Sequence, residues 1–201
     1  MNVINKISAI KLVLISLIIS ASISCADNDP HSLKEFEKNA SLKIKALATN
    51  LKKELVTSMQ AGGPVAAIKT CKIKAPEITE QLNSADNVQI KRTSLRLRNP
   101  NNAADNWEHK TLTTFEEKLA SGSPISELVY SEKITTGKHT ILRMMRAIPM
   151  QPVCLSCHGD KQTMSKELIS VLEQDYPHDL ATGFSSGDIR GAFSVSQIIS
   201  N

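Results

Sequence analysis

Nothing in this chain narrows its options more than the five residues Cys154-Leu155-Ser156-Cys157-His158, a C-x-x-C-H motif. Two thiols at that spacing reach the two vinyl groups along one edge of a porphyrin, and the next residue falls beneath the iron. The motif predicts one covalently attached haem c, with Cys154 and Cys157 as attachment points and His158 as proximal iron ligand. Three rival readings are weaker. A structural zinc site needs two further ligands at suitable spacing, and there is no second C-x-x-C pair. A thioredoxin-like redox pair has no need of His158 and belongs in a βαβ pattern that does not surround this motif. A Cys154–Cys157 disulfide closes so small a ring that it stabilises little.

Thioether attachment is completed outside the cytoplasm, and the first residues agree with that. In MNVINKISAIKLVLISLIISASISCA, Lys6 and Lys11 supply positive charge, and Leu12 to Ile19 are apolar except for Ser16. Ser24 and Ala26 are placed for cleavage before Asp27. Residues 1–26 are therefore expected to be an export signal and 27–201 a single periplasmic domain. Cys25 offers a second outcome, lipidation, although Ser22-Ile23-Ser24 departs from a lipobox that usually starts with Leu. Membrane contact is expected only through such an anchor, since no other segment is long and apolar enough to span a bilayer.

Charge and composition exclude another class of partner. Without Lys6 and Lys11, the 24 basic side chains fall to 22 against 20 acidic ones, a net +2 spread along the chain. With one Trp, two Tyr and four Phe, there is little to stack on bases, so nucleic acid is not an expected partner.

Hydrophobic spacing divides the rest into helices followed mainly by strands. Ser32-Leu-Lys-Glu35 is a capping-box pattern. From there Leu33, Phe36, Ala40, Ile44, Leu47, Leu51, Leu55 and Met59 form one helical stripe that ends at Gly62-Gly63. Pro64 starts a shorter helix with Val65, Ile68, Cys71 and Ala75 on one face, which Pro76 is expected to break or restart. Val88, Ile90, Leu95 and Leu97 alternate as in half-buried strands. Residues 98–102 read as a loop and Trp107 to Leu119 as a helix. Residues 125–134 and 139–149 read as a hairpin around Thr136-Gly137. Met164 to Leu172 is helical and Gly191 to Ile199 a last strand. The pattern predicts an α+β fold with an antiparallel sheet.

The ligand opposite His158 stays open on residue chemistry alone. Met59, Met144, Met145, Met150, His109, His139, His178 and Cys71 are candidates, with Met or His the usual choice. A lone cysteine on a helix face is more often a small buried apolar residue. Met164 is too near His158 to cross the ring.

Several further blocks carry a resemblance. They are Gly62-Gly63 with Ala67-Ile68, Cys71 and Ala75-Pro76, then Arg92-Thr93-Ser94, Arg98-Asn99-Pro100 with Asn102, and Trp107-Glu108. Cys154-x-x-Cys157-His158-Gly159 follows, then Tyr176-Pro177, Asp179-x-Ala181, Gly183-Phe184 and Gly187-Asp188-x-Arg190-Gly191-Ala192. In this order they resemble the periplasmic c-type haem domains with a PAS-like fold and His/Cys axial ligation, the Tll-like haem domains. The resemblance implies that Cys71 is the distal iron ligand and His158 the proximal one. It also implies a long N-terminal helix and further helices flanking a PAS-like antiparallel sheet. Ala103-Ala104-Asp105 departs from the proline-containing stretch expected before Trp107-Glu108, which puts that loop's conformation in question. Arg92, Arg96 and Arg98 are either solvated strand-face charges or, for one or two of them, partners of haem propionates. Trp107 either lines the haem pocket or fills the core.

A thiolate opposite His158 favours Fe(III), so a low reduction potential is expected. The expected role is a redox or small-ligand sensor that responds to a gas such as CO or NO and acts through a periplasmic signalling protein. The alternative is a one-electron carrier between exported redox proteins. No enzymatic activity is expected, because one six-coordinate haem leaves no open catalytic position.

Overall fold

The computed structural model describes residues 32–137 and 139–200; the expected signal, 1–26, and Cys25 lie outside them. The first element, α1, runs from Leu33 to Asn83 and starts where Ser32 Oγ accepts a hydrogen bond from Glu35 N at 3.2 Å. Its stripe Phe36, Ala40, Ile44 and Leu47 is fully buried. The helical geometry fails at Gly62 and Gly63, and Gly63 takes φ 64°, a left-handed conformation that glycine adopts without steric cost. Pro64 then occupies the first position of the resumed helix, where its missing N–H is harmless.

Pro76 does not end that helix, contrary to the sequence expectation. An interior proline costs about 3 kcal/mol. Here the turns around and beyond it are anchored by buried Ala75 and by Ile78 and Leu82 packed on the core. Full burial of a Leu or Ile is worth about 1.5–3 kcal/mol, so even the partial burial of Ile78 and Leu82 offsets much of that cost.

Four strands follow: β1 (Val88–Thr93), β2 (Val129–Thr136), β3 (His139–Pro149) and β4 (Ile189–Ser200). They form one antiparallel sheet in the order β1-β4-β3-β2. The β2–β3 hairpin turns at Gly137, whose φ is 56°. The last strand in sequence is thus central. Alternate residues of β1, β3 and β4, namely Val88, Ile90, Leu142, Met144, Phe193 and Val195, pack against α1. Met145, Ala147 and Ala192 point the other way, onto Leu112 and Phe115 of α2 (Asn106–Ala120).

Leu95 and Leu97 do not extend β1. At Ser94 the chain leaves the sheet, and the Ser94 hydroxyl is bonded to the backbone oxygens of Arg96 and Arg190 at 3.0 and 2.9 Å. In the Ala103-Ala104-Asp105 stretch, whose conformation the sequence put in question, Ala103 bridges Ser94 and Asp105 caps α2. Asp105 caps Glu108 N at 2.8 Å while Glu108 Oε2 accepts from Asp105 N at 2.9 Å. Beyond the sheet's first three strands come α3 (Leu155–His158) and α4 (Lys166–Asp175). The architecture is α+β, a PAS-like antiparallel sheet flanked by helices, with one long helix preceding it.

Candidate cofactor site

Between α1, the adjoining sheet face and α3 lies a cavity of about 390 Å³. That falls within the range of about 300–1,000 Å³ usual for cofactor pockets. One wall is α1 on both sides of its break, with Leu51, Leu55 and Met59 before it and Ala67, Ile68 and Cys71 after it. The helix-face spacing read from the sequence accounts for this placement. The sheet adds Arg92, Ile148, Arg190 and Phe193, and the far side is Cys154, Cys157, His158 and Tyr176.

The C-x-x-C-H residues are held as one helical turn. Pro152–Cys154 makes a 3-10 turn that leads directly into α3. Gly159 closes it, and a side chain there would strike the Leu155 carbonyl oxygen at 2.6 Å. The three cysteines among the described residues, Cys71, Cys154 and Cys157, carry free thiols. Burial pushes the Cys157 thiol above its ordinary pKa, and the same cause raises Cys71 against the opposing charges of Arg92 and Arg98.

His158 Nδ1 lies 2.7 Å from the Ala181 carbonyl. A carbonyl only accepts, so Nδ1 carries the proton and the Nε2 lone pair is free to bind a metal. Burial, then the cations Arg98 and Arg190, hold the imidazole pKa well below its usual value. The ring is therefore a neutral, metal-competent donor at physiological pH.

The arginines divide by partner. Arg98 forms an ion pair with Asp179, through Nε at 3.0 Å and Nη2 at 2.8 Å, with both side chains about nine-tenths buried. Arg190 donates through Nη1 to Ser94 Oγ and Arg96 O, and burial lowers its pKa to about 10. Arg96 turns out of the cavity toward Leu180 O and Thr182 O and stacks over Phe184 at 3.9 Å. Arg92 has no hydrogen-bond acceptor among the described residues, although burial strongly disfavours its charge. Three guanidiniums thus face the cavity with one of them neutralised by Asp179. The α1 wall also carries Lys52, Glu54 and Lys74, and Lys74 is paired with Glu77.

Of the eight distal-ligand candidates, only Cys71 and Met59 line this cavity. Met144 and Met145 are sealed in the two cores and Met150 packs with Ala181 and Phe184, while His109, His139 and His178 are exposed. Trp107 is not on the cavity wall. It lies in the first turn of α2, with its ring centroid 5.8 Å from that of Tyr130, Nε1 donating to Glu132 at 2.7 Å, and Arg143 over its face. Arg190 and Asp179 did not emerge as site residues from the sequence. The only signal for either was its place in the resembling blocks.

The family model of the Tll0287-like proteins matches residues 22–197. The chain belongs to the Tll0287-like family. Among solved structures, this Tll0287-like protein is similar to the cyanobacterial heme-protein Tll0287, at 22% identity and a TM-score of 0.63. That match covers 83% of this chain and 98% of the other, and it is a likeness of fold. No curated protein matches the chain.

Proposed function

We propose that this Tll0287-like protein is an exported mono-haem c-type cytochrome that senses redox state or a small ligand. The observation that carries the reading is that Cys154, Cys157, His158 and Cys71 line one cavity with the unpartnered guanidinium of Arg92. The fit is chemical as well as spatial. Leu51, Leu55, Ile68 and Phe193 would hold the porphyrin body, the free thiols of Cys154 and Cys157 would attach it, and Nε2 of His158 would be available to its metal. Two propionates would match the two arginines, Arg92 and Arg190, that lack a carboxylate partner.

Haem held there would supply a one-electron Fe(III)/Fe(II) couple. Cys71 is the residue on which the sensor reading turns. A thiolate from it stabilises the ferric form, while its burial favours the neutral thiol. Cys71 would thus be held less firmly by the reduced cofactor, and it stands on α1, which packs on the sheet. Its output would go to a periplasmic signalling protein.

Electron carriage is the second reading. Val153, 38% exposed beside Cys154, offers an apolar contact at the attachment edge for a redox partner. The two readings differ in whether Cys71 stays bound on reduction. Optical and EPR spectra of the ferric protein, wild type beside Cys71→Ser, test the common ground. A low-spin thiolate signature lost in the variant supports the ligand pair. Persistence of the wild-type spectrum would overturn it and leave Met59 as the cavity-lining alternative. Retention of the thiolate after reduction would favour the carrier.

A further inference from the structure

A helix leaves its last carbonyls without internal partners, and α3 is too short to hide them. Here the carbonyls of its last two residues and of the Gly159 cap are met from outside. Cys157 O accepts from Arg98 Nη2 at 2.6 Å, His158 O from Phe184 N at 3.0 Å, and Gly159 O from Gly183 N at 2.6 Å. The last two donors belong to residues 179–184, the same segment whose Ala181 carbonyl orients His158. Asp179 fastens that segment from within, because its Oδ1 accepts from Ala181 N at 2.8 Å. Its other oxygen, Oδ2, takes both bonds from Arg98, whose Nη2 also reaches Ala181 O at 3.3 Å. The guanidinium is thus spent on protein acceptors on both sides of His158.

We propose that Arg98 and Asp179 are positioning residues: a buried brace that locks the Ala181 carbonyl against α3 and so sets the orientation and basicity of His158. Arg98 then has no role as a propionate anchor, which falls to Arg92 and Arg190. The chemistry follows from the hydrogen bond at Nδ1. A firmly held acceptor makes the imidazole a stronger donor through Nε2 and favours the ferric state. A loosened acceptor does the opposite and allows several ring orientations. The inference rests on the proposed His158 ligation.

The experiment uses the haem-loaded protein and reads the reduction midpoint and the ferric EPR line shape. Wild type is compared with Asp179→Asn, Arg98→Gln, their double variant, and His158→Gln. Each single variant is expected to raise the midpoint and broaden the low-spin signal. The double variant should shift no further than either single, since both remove one brace. Additive shifts would mean that Arg98 acts separately on the cofactor, and an unmoved Asp179→Asn would mean that Asp179 does not act on His158. Either result overturns the brace. Should Asp179→Asn fail to fold, Arg98→Lys retains the ion pair without the two-sided reach; it should show the same upward shift, and an unshifted midpoint overturns the proposal. A wild-type spectrum indifferent to His158→Gln would sink the ligation itself. Sensitivity to His158→Gln without sensitivity to Arg98 or Asp179 would sink the brace alone.

Discussion

At the scale of single residues, the distal position is where one side chain most changes what the protein can do. On the proposed ligation, Cys71→Met would exchange an anionic ligand for a neutral thioether and remove the preference for Fe(III). Axial ligands span about 0.8 V of potential, so an upward shift on the order of a few tenths of a volt is expected in a redox titration. An unchanged midpoint would remove Cys71 from the iron. The residue pattern brought Cys71 and Met59 to the cavity because each lies on an apolar helix face, next to Ile68 and Leu55. It could not remove the other six candidates, since residue type and local spacing do not show whether a side chain ends in a core, on the surface or in the cavity. Arg98 was ambiguous for a related reason: a guanidinium's role depends on its acceptor, and Asp179 lies 81 positions away.

At the scale of elements, local signals held where the backbone needed a special geometry and failed where tertiary contacts decided. The stripe of α1, its break at Gly62-Gly63 and the hairpin at Gly137 were legible in the sequence. Pro76 was misread because Ala75, Ile78 and Leu82 bury apolar surface on both sides of it. Leu95 and Leu97 were misread because alternation alone cannot show the Ser94 hydroxyl turning the chain. The start of α2 carries a testable acid response. Burial acts to raise the Asp105 pKa, but the Arg143 hydrogen bond, the Glu108 amide and the charges of Arg143 and Lys91 outweigh it and hold it below its ordinary value. A depressed carboxylate pKa contributes stability above the unfolded value, about 3.9, that is lost as pH falls through the folded value. Thermal melts of wild type and Asp105→Asn between pH 5 and about 2 should converge at the acid end. Parallel curves across that window would show that Asp105 contributes nothing through its charge.

For the whole molecule, the cavity sets a balance between two states of one fold. Arg92 is a half-buried cation on the cavity wall with no acceptor among the described residues, and burial disfavours its charge. Arg92→Gln is therefore expected to stabilise the haem-free protein and destabilise the loaded one, by about 1–3 kcal/mol in each direction. Denaturant titrations of both forms read this directly, and shifts of the same sign would show that Arg92 does not meet a carboxylate of the cofactor. None of the helices among the described residues is long and apolar enough to cross a membrane.

The central place of β4 has a kinetic consequence. β1 has no sheet neighbour until β4 arrives, and the contact between Asn87 and Gln197 spans 110 positions. Closing so long a loop is entropically costly and slow. The C-x-x-C-H residues emerge before β4, on chain whose sheet is still incomplete and whose carbonyls await Gly183 and Phe184. If haem is attached there as proposed, the stretch to be reached would be left open until that long loop closes. It is closed by Gly183 and Phe184, which lead into the strand that completes the sheet.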